Sequence, residues 1–259
     1  MKLLPREFKL ITLLIISVLI FVHIFFFLAV VRKNFSVIDI GWGLGIALIA
    51  SISYLLNSQS PSDTLLLFMT LIWGLRLTFF IFFRAKGKGE DPRYTKFRNE
   101  WMPHPNLNAY FKVYIFQGLL MLIVSLPISF SMSLGKQEFS ALNWLGVLLW
   151  IIGFSFECWA DYYLSRWKLN PLNSGKICTT GPWSFSRFPN YFGEILLWYG
   201  IYFAGFSPES AWTILGPFTI NFLIVRVTGI PPLENRYKSR PDYQEYAKRV
   251  PRLIPFMKF

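Results

Sequence analysis

Among the ionisable residues that interrupt the apolar runs of this chain are Asp39, Arg76, Glu157, Asp161, Glu194 and Arg226. A charge at the centre of a bilayer costs roughly 2.5–3.5 kcal/mol on insertion scales, and less near a helix end, so each is kept for a pair or a function. Glu157 and Asp161 are four residues apart and share a helix face that Lys168 continues. Paired carboxylates accept hydrogen bonds from the hydroxyls or amide of a ligand, and together they repel a phosphate. Lys168, Lys176 and Arg187 carry the charge to bind one. The plainer reading of Glu157 and Asp161 is a helix-end salt bridge with Arg166 or Arg187.

The segment 180–194 reads Thr-Gly-Pro-Trp-Ser-Phe-Ser-Arg-Phe-Pro-Asn-Tyr-Phe-Gly-Glu. Gly181-Pro182 predicts a turn, and Pro189-Asn190 predicts the start of a helix with Asn190 at its cap or in its first turn. Arg187 then lies beside a helix N-terminus, where the dipole and the guanidinium both favour an anion. Glu194 follows one turn later on the face of Asn190. As bare structure, the same residues describe a re-entrant loop leading into a capped helix.

Asp39 lies in Ser-Val-Ile-Asp-Ile-Gly-Trp-Gly-Leu-Gly, where Gly41 and Gly45 form a G-x-x-x-G face that admits a second helix. Asp39 either pairs with Arg76 as an interior ion pair or, with its pKa raised by burial, supplies a proton. Tyr94, next to Arg93 and close to Asp91, is a second candidate acid.

These residues need helices to hold them. Apolar residues make up 54% of the 259 and charged residues only 15%, too few to cover a soluble surface. Seven apolar runs, 8–31, 36–56, 64–83, 110–132, 144–163, 191–206 and 211–227, approach the ~20 residues that cross a bilayer. Lipid leaves backbone groups unsatisfied unless the chain is helical, and no alternation suggests a barrel. The expectation is an all-α polytopic membrane bundle of about seven spans, one membrane domain over residues 1–259. The first run is too long for a signal peptide and ends on Arg32-Lys33 without a cleavage site, so it reads as a retained helix.

The net charge of +12 sorts by side. Lys2, Arg6, Lys9 and Lys136 fall on one face, and Arg32, Lys33 and the many cations of segments 84–109, 165–190 and 228–259 fall on the other. That asymmetry predicts an outer N-terminus and a cytoplasmic C-terminus. It accounts for the basic excess without nucleic acid, for which no recognition motif is present. Cys158 and Cys178 are not expected to pair in a reducing compartment. His23 and His104 lack metal-ligand spacing, and no inverted repeat suggests a transporter. Residues 95–101 suit a helix, and 241–250 suit a short amphipathic helix packed beneath the bundle. Nothing in the sequence specifies an oligomeric state.

Asp161-Tyr-Tyr-Leu, the block Gly181-Pro-Trp through Arg187-Phe-Pro-Asn190-Tyr-Phe-Gly-Glu194 to Trp198, and the ending Ile254-Pro-Phe256 resemble the steroid 5α-reductase superfamily. Asp39-x-x-Trp42-Gly and Glu90-Asp-Pro-Arg-Tyr94 resemble its bacterial branch in particular. The resemblance implies a multi-pass protein of the bacterial cytoplasmic membrane, with NADPH held among the cytoplasmic halves of the helices by a signature spanning 157–259. It implies hydride transfer to a conjugated double bond of a hydrophobic small molecule drawn from the lipid bilayer. By matching position, Asp161, Asn190, Glu194, Trp198 and Arg226 line the cofactor, and Glu157 stands where the reductases use asparagine. Lys168 and Lys176 replace their phosphate-proximal arginines. Two positions depart from the pattern: Trp73 stands at the reductases' substrate-polarising tyrosine, and Asp39 is the rough counterpart of their second-helix glutamate. The C-terminal pattern is also similar to isoprenylcysteine carboxyl methyltransferases, which implies S-adenosylmethionine as the alternative cofactor, and a non-catalytic lipid-binding protein on the same fold is the third reading. That pattern has His where this chain has Phe188, and paired glutamates where it has Leu233-Glu234.

Overall fold

The computed structural model describes residues 6–57, 59–135 and 138–257. Lys2 and Lys136, two of the cations assigned to the outer face, lie outside the described residues. The described residues form helices and connecting turns, with no strand among them, and the chain is a polytopic helical membrane protein. Its contacts divide into two compact units, residues 1–139 with 205–215, and residues 140–204 with 216–259.

The first unit opens with α1 (Arg6–Val31), α2 (Val37–Leu56) and α3 (Pro61–Ala85), each long and apolar enough to cross a membrane. Ser60 and Asp63 cap α3 reciprocally, with Pro61 at its first position. Polar α4 (Pro92–Glu100) follows, started by the Asp91 side chain accepting from the Arg93 N–H. The fourth span is built from α5 (Pro105–Ala109), a π-helical stretch Tyr110–Ile115 and α6 (Phe116–Val124). It stops near residue 125, short of the expected 132, because Pro127 interrupts the hydrogen-bond ladder and a separate α7 (Leu126–Ser133) begins.

Gly41 and Gly45 are not where two backbones meet. A Cβ on Gly41 would strike the Phe25 ring, and one on Gly45 would strike Met121. The main chains of α2 and α3 touch at Gly43 and Gly74 instead, where a Cβ on either would lie 2.2 or 2.6 Å from the other's carbonyl oxygen.

The second unit is organised on α8 (Ala141–Leu169), which exceeds the expected 144–163 at both ends. Ser140 and Asn143 cap it reciprocally, and Asn170-Pro171 ends it, since a residue before proline avoids helical geometry. Alongside runs α9 (Pro189–Ala204), at 16 residues short for a crossing. A Cβ on Gly146, Gly153, Gly193 or Gly200 would come within 2.2–2.5 Å of the facing backbone. The four glycines, paired as 146/200 and 153/193, form a seam along which the two helices touch main chain to main chain. Asn143 donates to the Phe203 and Ala204 carbonyls at 3.1 and 3.2 Å, which satisfies the open end of α9.

The run Pro208–Tyr237 is the sixth helical stretch of spanning length and composition. It contains α10 (Leu215–Phe222), a π-helical turn Leu223–Val227 and α11 (Ile230–Tyr237). The amphipathic helix expected over 241–250 is α12 (Pro241–Arg249), with Tyr243 and Tyr246 buried.

Two predictions follow from this architecture. Gly200→Ala should destabilise the protein in detergent by about 1–3 kcal/mol, as overpacking does. Gly89→Ala, with open space around it, should stay within ~0.5 kcal/mol in the same thermal-shift assay. If α9 is a seventh crossing beside these six and the N-terminus lies outside, as the basic asymmetry predicts, cysteines introduced at Glu209 should label from outside and those at Gly87 and Ser239 only from inside. If the short α9 fails to cross, labelling of Glu209→Cys and Ser239→Cys will be exchanged.

Candidate functional site

The candidate residues fall into two clusters, one in each unit. In the first, α4 and the turn before it fold against the start of α2. The Tyr94 hydroxyl donates to Asp39 Oδ1 at 2.6 Å and accepts from Gln117 at 3.3 Å. Arg93 reaches Asp39 Oδ2 at 3.2 Å and holds Asp91 through two further bonds at 3.0 and 3.2 Å. Asp39 thus forms its ion pair with the polar segment, not with the Arg76 that the sequence suggested. The guanidinium of Arg76 sits 5.1 Å from the Phe80 ring centroid. Burial and the adjacent Asp39 carboxylate push the Tyr94 phenol well above its ordinary pKa, so it stays protonated with its proton aimed at Asp39.

Beside this pair, Glu90 accepts from the Phe35 N–H at 2.6 Å and from Arg98 at 2.9 and 3.2 Å. The Arg98 guanidinium lies 3.8 Å over the Phe35 ring. Sequence reasoning passed over this clasp, whose only signal was an acid eight residues before an arginine in a polar loop.

In the second unit, Glu157 and Asp161 on α8 are almost fully buried, as is Glu194 on α9. The glycine seam brings them together, since a Cβ on Gly193 would lie 3.0 Å from that of Glu157. Asn190, in the first turn of α9 as expected, donates to Asp161 Oδ1 at 3.3 Å. Trp198 is fully buried and donates to Glu194 at 3.1 Å. The Asn190 Oδ1 atom is buried with no donor reaching it. Three acids and a carboxamide therefore make a hydrogen-bonding wall that suits hydroxyls and amides and repels phosphate.

Gly181 enters the turn after α8 at φ +59°, and a Cβ there would strike the Tyr163 ring at 2.6 Å. Tyr163 in turn donates to Thr180 at 2.9 Å, and Trp183 to the Ala160 carbonyl at 3.4 Å. The loop that delivers Asn190 is thus packed down on α8.

Arg187 is engaged otherwise than expected. It donates to Glu234 at 3.0 Å and to Tyr243 at 3.1 Å, while Arg252 takes the same carboxylate at 2.8 and 3.2 Å. Its backbone N–H bonds to the Pro251 carbonyl, and Ser186 donates to Leu253. A carboxylate between two guanidiniums fixes both, so Arg187 anchors the C-terminal strap. Arg226 is exposed within the π-helical turn. Lys168 and Lys176 are also exposed, and both line a cleft outside the acidic wall.

Burial opposes ionisation of Glu90, but Arg98 and the Phe35 N–H outweigh it and hold the carboxyl below its ordinary range. A carboxylate with a depressed native pKa contributes stability that is present above its unfolded value of ~4.3 and lost as pH falls through the native one. The thermal midpoint should therefore fall on acidification below about pH 4. Glu90→Gln should be less stable at neutral pH and show a weaker acid dependence, measured by thermal shift in detergent.

The family described as "Protein of unknown function (DUF1295)" matches residues 25–250. An uncharacterized protein of Schizosaccharomyces pombe is 28% identical over 229 residues, 77% of this chain and 65% of its own length. The rat 3-oxo-5-alpha-steroid 4-dehydrogenase 1 is 25% identical over 112 residues, 43% of this chain and 40% of its own. The chain thus spans less than two thirds of either relative. No solved structure matches. With the match running from α1 into the last residues of α12, the chain belongs to the DUF1295 family.

Proposed function

We propose that the chain is a membrane reductase that uses NADPH to saturate a conjugated double bond in a hydrophobic, steroid-, isoprenoid- or other lipid-like substrate. Similarity to the rat steroid dehydrogenase supports a reductase-like role. The observation that carries the cofactor reading is the wall of Glu157, Asp161, Asn190 and Glu194, with the Asn190 carboxamide oxygen buried and awaiting a donor. Ribose hydroxyls and a nicotinamide carboxamide present such donors, whereas hydrocarbon does not.

NADPH, when bound, supplies the hydride. Asp161 and Glu194 would accept hydrogen bonds that orient it, while Asn190 bridges the two helices and Trp198 fixes Glu194. Saturating a carbon–carbon double bond also consumes a proton. The Tyr94–Asp39 pair holds an exchangeable proton at a 2.6 Å hydrogen bond, with Arg93 steadying the carboxylate, and is the candidate proton donor that the first unit offers. Trp73 is fully buried and has no acidic hydroxyl, so the proton is assigned to Tyr94 and not to α3.

The test is calorimetric titration of the purified chain with NADPH and with S-adenosylmethionine. NADPH should bind, and Asn190→Ala should weaken it about 5–15-fold, the worth of a hydrogen bond of roughly 1–1.5 kcal/mol. Tyr94→Phe should bind NADPH normally yet fail to oxidise it against enone-bearing lipids. Binding of S-adenosylmethionine alone would move the assignment to methyl transfer, and binding of neither would remove the enzyme reading.

A further inference from the structure

The exposed surface of the first unit carries polar groups that the Tyr94–Asp39 pair does not use. Lys112 is exposed within the π-helical stretch of the fourth span, about 10 Å beyond the start of that span at Pro105. An ammonium at that depth is costly unless its stem carries it back to the interface. It does so here. Lys112 Nζ lies 5.3 Å from the ring centroid of Trp101, which ends α4 just before the span. Trp101 is in turn stacked on Phe97, with centroids 5.0 Å apart and planes 9° from parallel. No acid among the described residues comes within ion-pair distance of Lys112, and the neighbouring Glu100 is held by Lys96 at 3.6 Å. The cation thus stands on an aromatic platform with its charge not neutralised.

Just before Lys112 in the chain, Tyr110 meets His23 of α1. His23 Nδ1 lies 2.5 Å from the Leu19 carbonyl, which can only accept, so Nδ1 carries a hydrogen. In the neutral imidazole, Nε2 then accepts from the Tyr110 hydroxyl at 2.7 Å. His23 is satisfied by these two contacts, and the Tyr110 oxygen keeps a lone pair for an outside donor. The surface around both groups is hydrocarbon, with Ile24, Phe27, Leu107 and Phe111 each more than half exposed. A cation, an acceptor and an apolar skirt match the phosphate, the headgroup hydroxyls and the acyl chains of an anionic phospholipid. A choline headgroup matches less well, because it has no N–H or O–H to donate and its charge cancels that of the phosphate.

The platform belongs to the helix that presents Tyr94. Phe97 lies edge-on to Tyr94 at 6.1 Å and 89°, so Tyr94, Phe97 and Trp101 form one stripe from the Asp39 carboxylate to Lys112. We propose that Lys112, Trp101 and Tyr110 form a binding site for an anionic phospholipid headgroup, and that a lipid seated there holds the C-terminal end of α4 in place.

The experiment offers the full chain, in mild detergent, equal amounts of phosphatidylglycerol and phosphatidylcholine with matched acyl chains, and reads retention by native mass spectrometry. Wild type should retain phosphatidylglycerol about fivefold over phosphatidylcholine, the gain of one lysine at an anionic surface. Lys112→Gln should bring the ratio close to one, Lys112→Arg should keep it, and Tyr110→Phe should lower it part of the way. In nanodiscs, phosphatidylglycerol should slow amide hydrogen exchange over α4 in wild type and not in Lys112→Gln. Lys88→Gln, which removes an exposed cation from the preceding loop, should match wild type in both readouts. The site is overturned by a wild type that retains the two lipids equally or by a Lys112→Gln protein that matches wild type. It is overturned equally by a Lys88→Gln protein that loses as much, since retention would then follow surface charge at large. Exchange over α4 that is indifferent to lipid overturns the hold on that helix. Should Lys112→Gln not fold, Trp101→Leu is judged by the same readouts.

Discussion

Everything polar in the second unit depends on how closely α8 and α9 approach. Inside a bilayer the hydrophobic effect does not press helices together, so close packing must do it, and close packing needs small residues at the contact. Gly146 and Gly153 on α8 meet Gly200 and Gly193 on α9 at the same seven-residue spacing, with no room for a single Cβ. At one end of the seam Asn143 satisfies the last carbonyls of α9. At the other, the contact of Gly193 with Glu157 draws three acids and Asn190 into one wall. A helix separation set by leucines would part that wall by several ångströms and leave Asp161 beyond reach of Asn190.

A second constraint acts at the ends of the apolar helices. Asp39, at the start of α2, is neutralised by Arg93 and bonded by Tyr94 from the polar segment that follows α3. Arg187, just before α9, is neutralised by Glu234 from the C-terminal segment, with Arg252 sharing the carboxylate. In both units the polar segments earn their length by covering charges that the bilayer cannot solvate. Conformation at each cluster is thereby tied to an extramembranous strap. In the second unit that strap is closed further by the Ser186–Leu253 bond and by Tyr246, which donates to the Trp183 carbonyl.

What the sequence made legible follows from the range of the forces involved. Helices were legible because apolar length and proline positions act locally: α12, the start of α9 at Pro189 and the buried stripe of Glu157 and Asp161 all stood out. Extent was less so, since α8 runs on until Pro171 although its apolar run ends sooner. Pairings were not legible. The G-x-x-x-G pattern named Gly41 and Gly45, which do admit a neighbouring helix, with Phe25 and Phe21 of α1 against them, but the contact of backbone with backbone falls at Gly43, because the partner's own glycine, Gly74, decides that face. Arg76 was matched to Asp39 by depth alone, whereas the carboxylate is taken by Arg93, 54 positions away at the start of α4.

The two polar regions of the second unit have opposite character and share one helix. Glu157 and Asp161 are buried on α8, and Lys168 emerges about 16 Å further along from Glu157, at 1.5 Å per residue. S-adenosylmethionine, a net cation whose only anionic group is one carboxylate, carries no phosphate for the far end of that axis. A long ligand with a hydrogen-bonding, uncharged head and an anionic tail matches both ends, and a phosphorylated dinucleotide has that form. The gradient from buried acid to exposed base along α8 is the physical feature that favours the proposed NADPH over S-adenosylmethionine, and it does so without reference to any residue of the first unit.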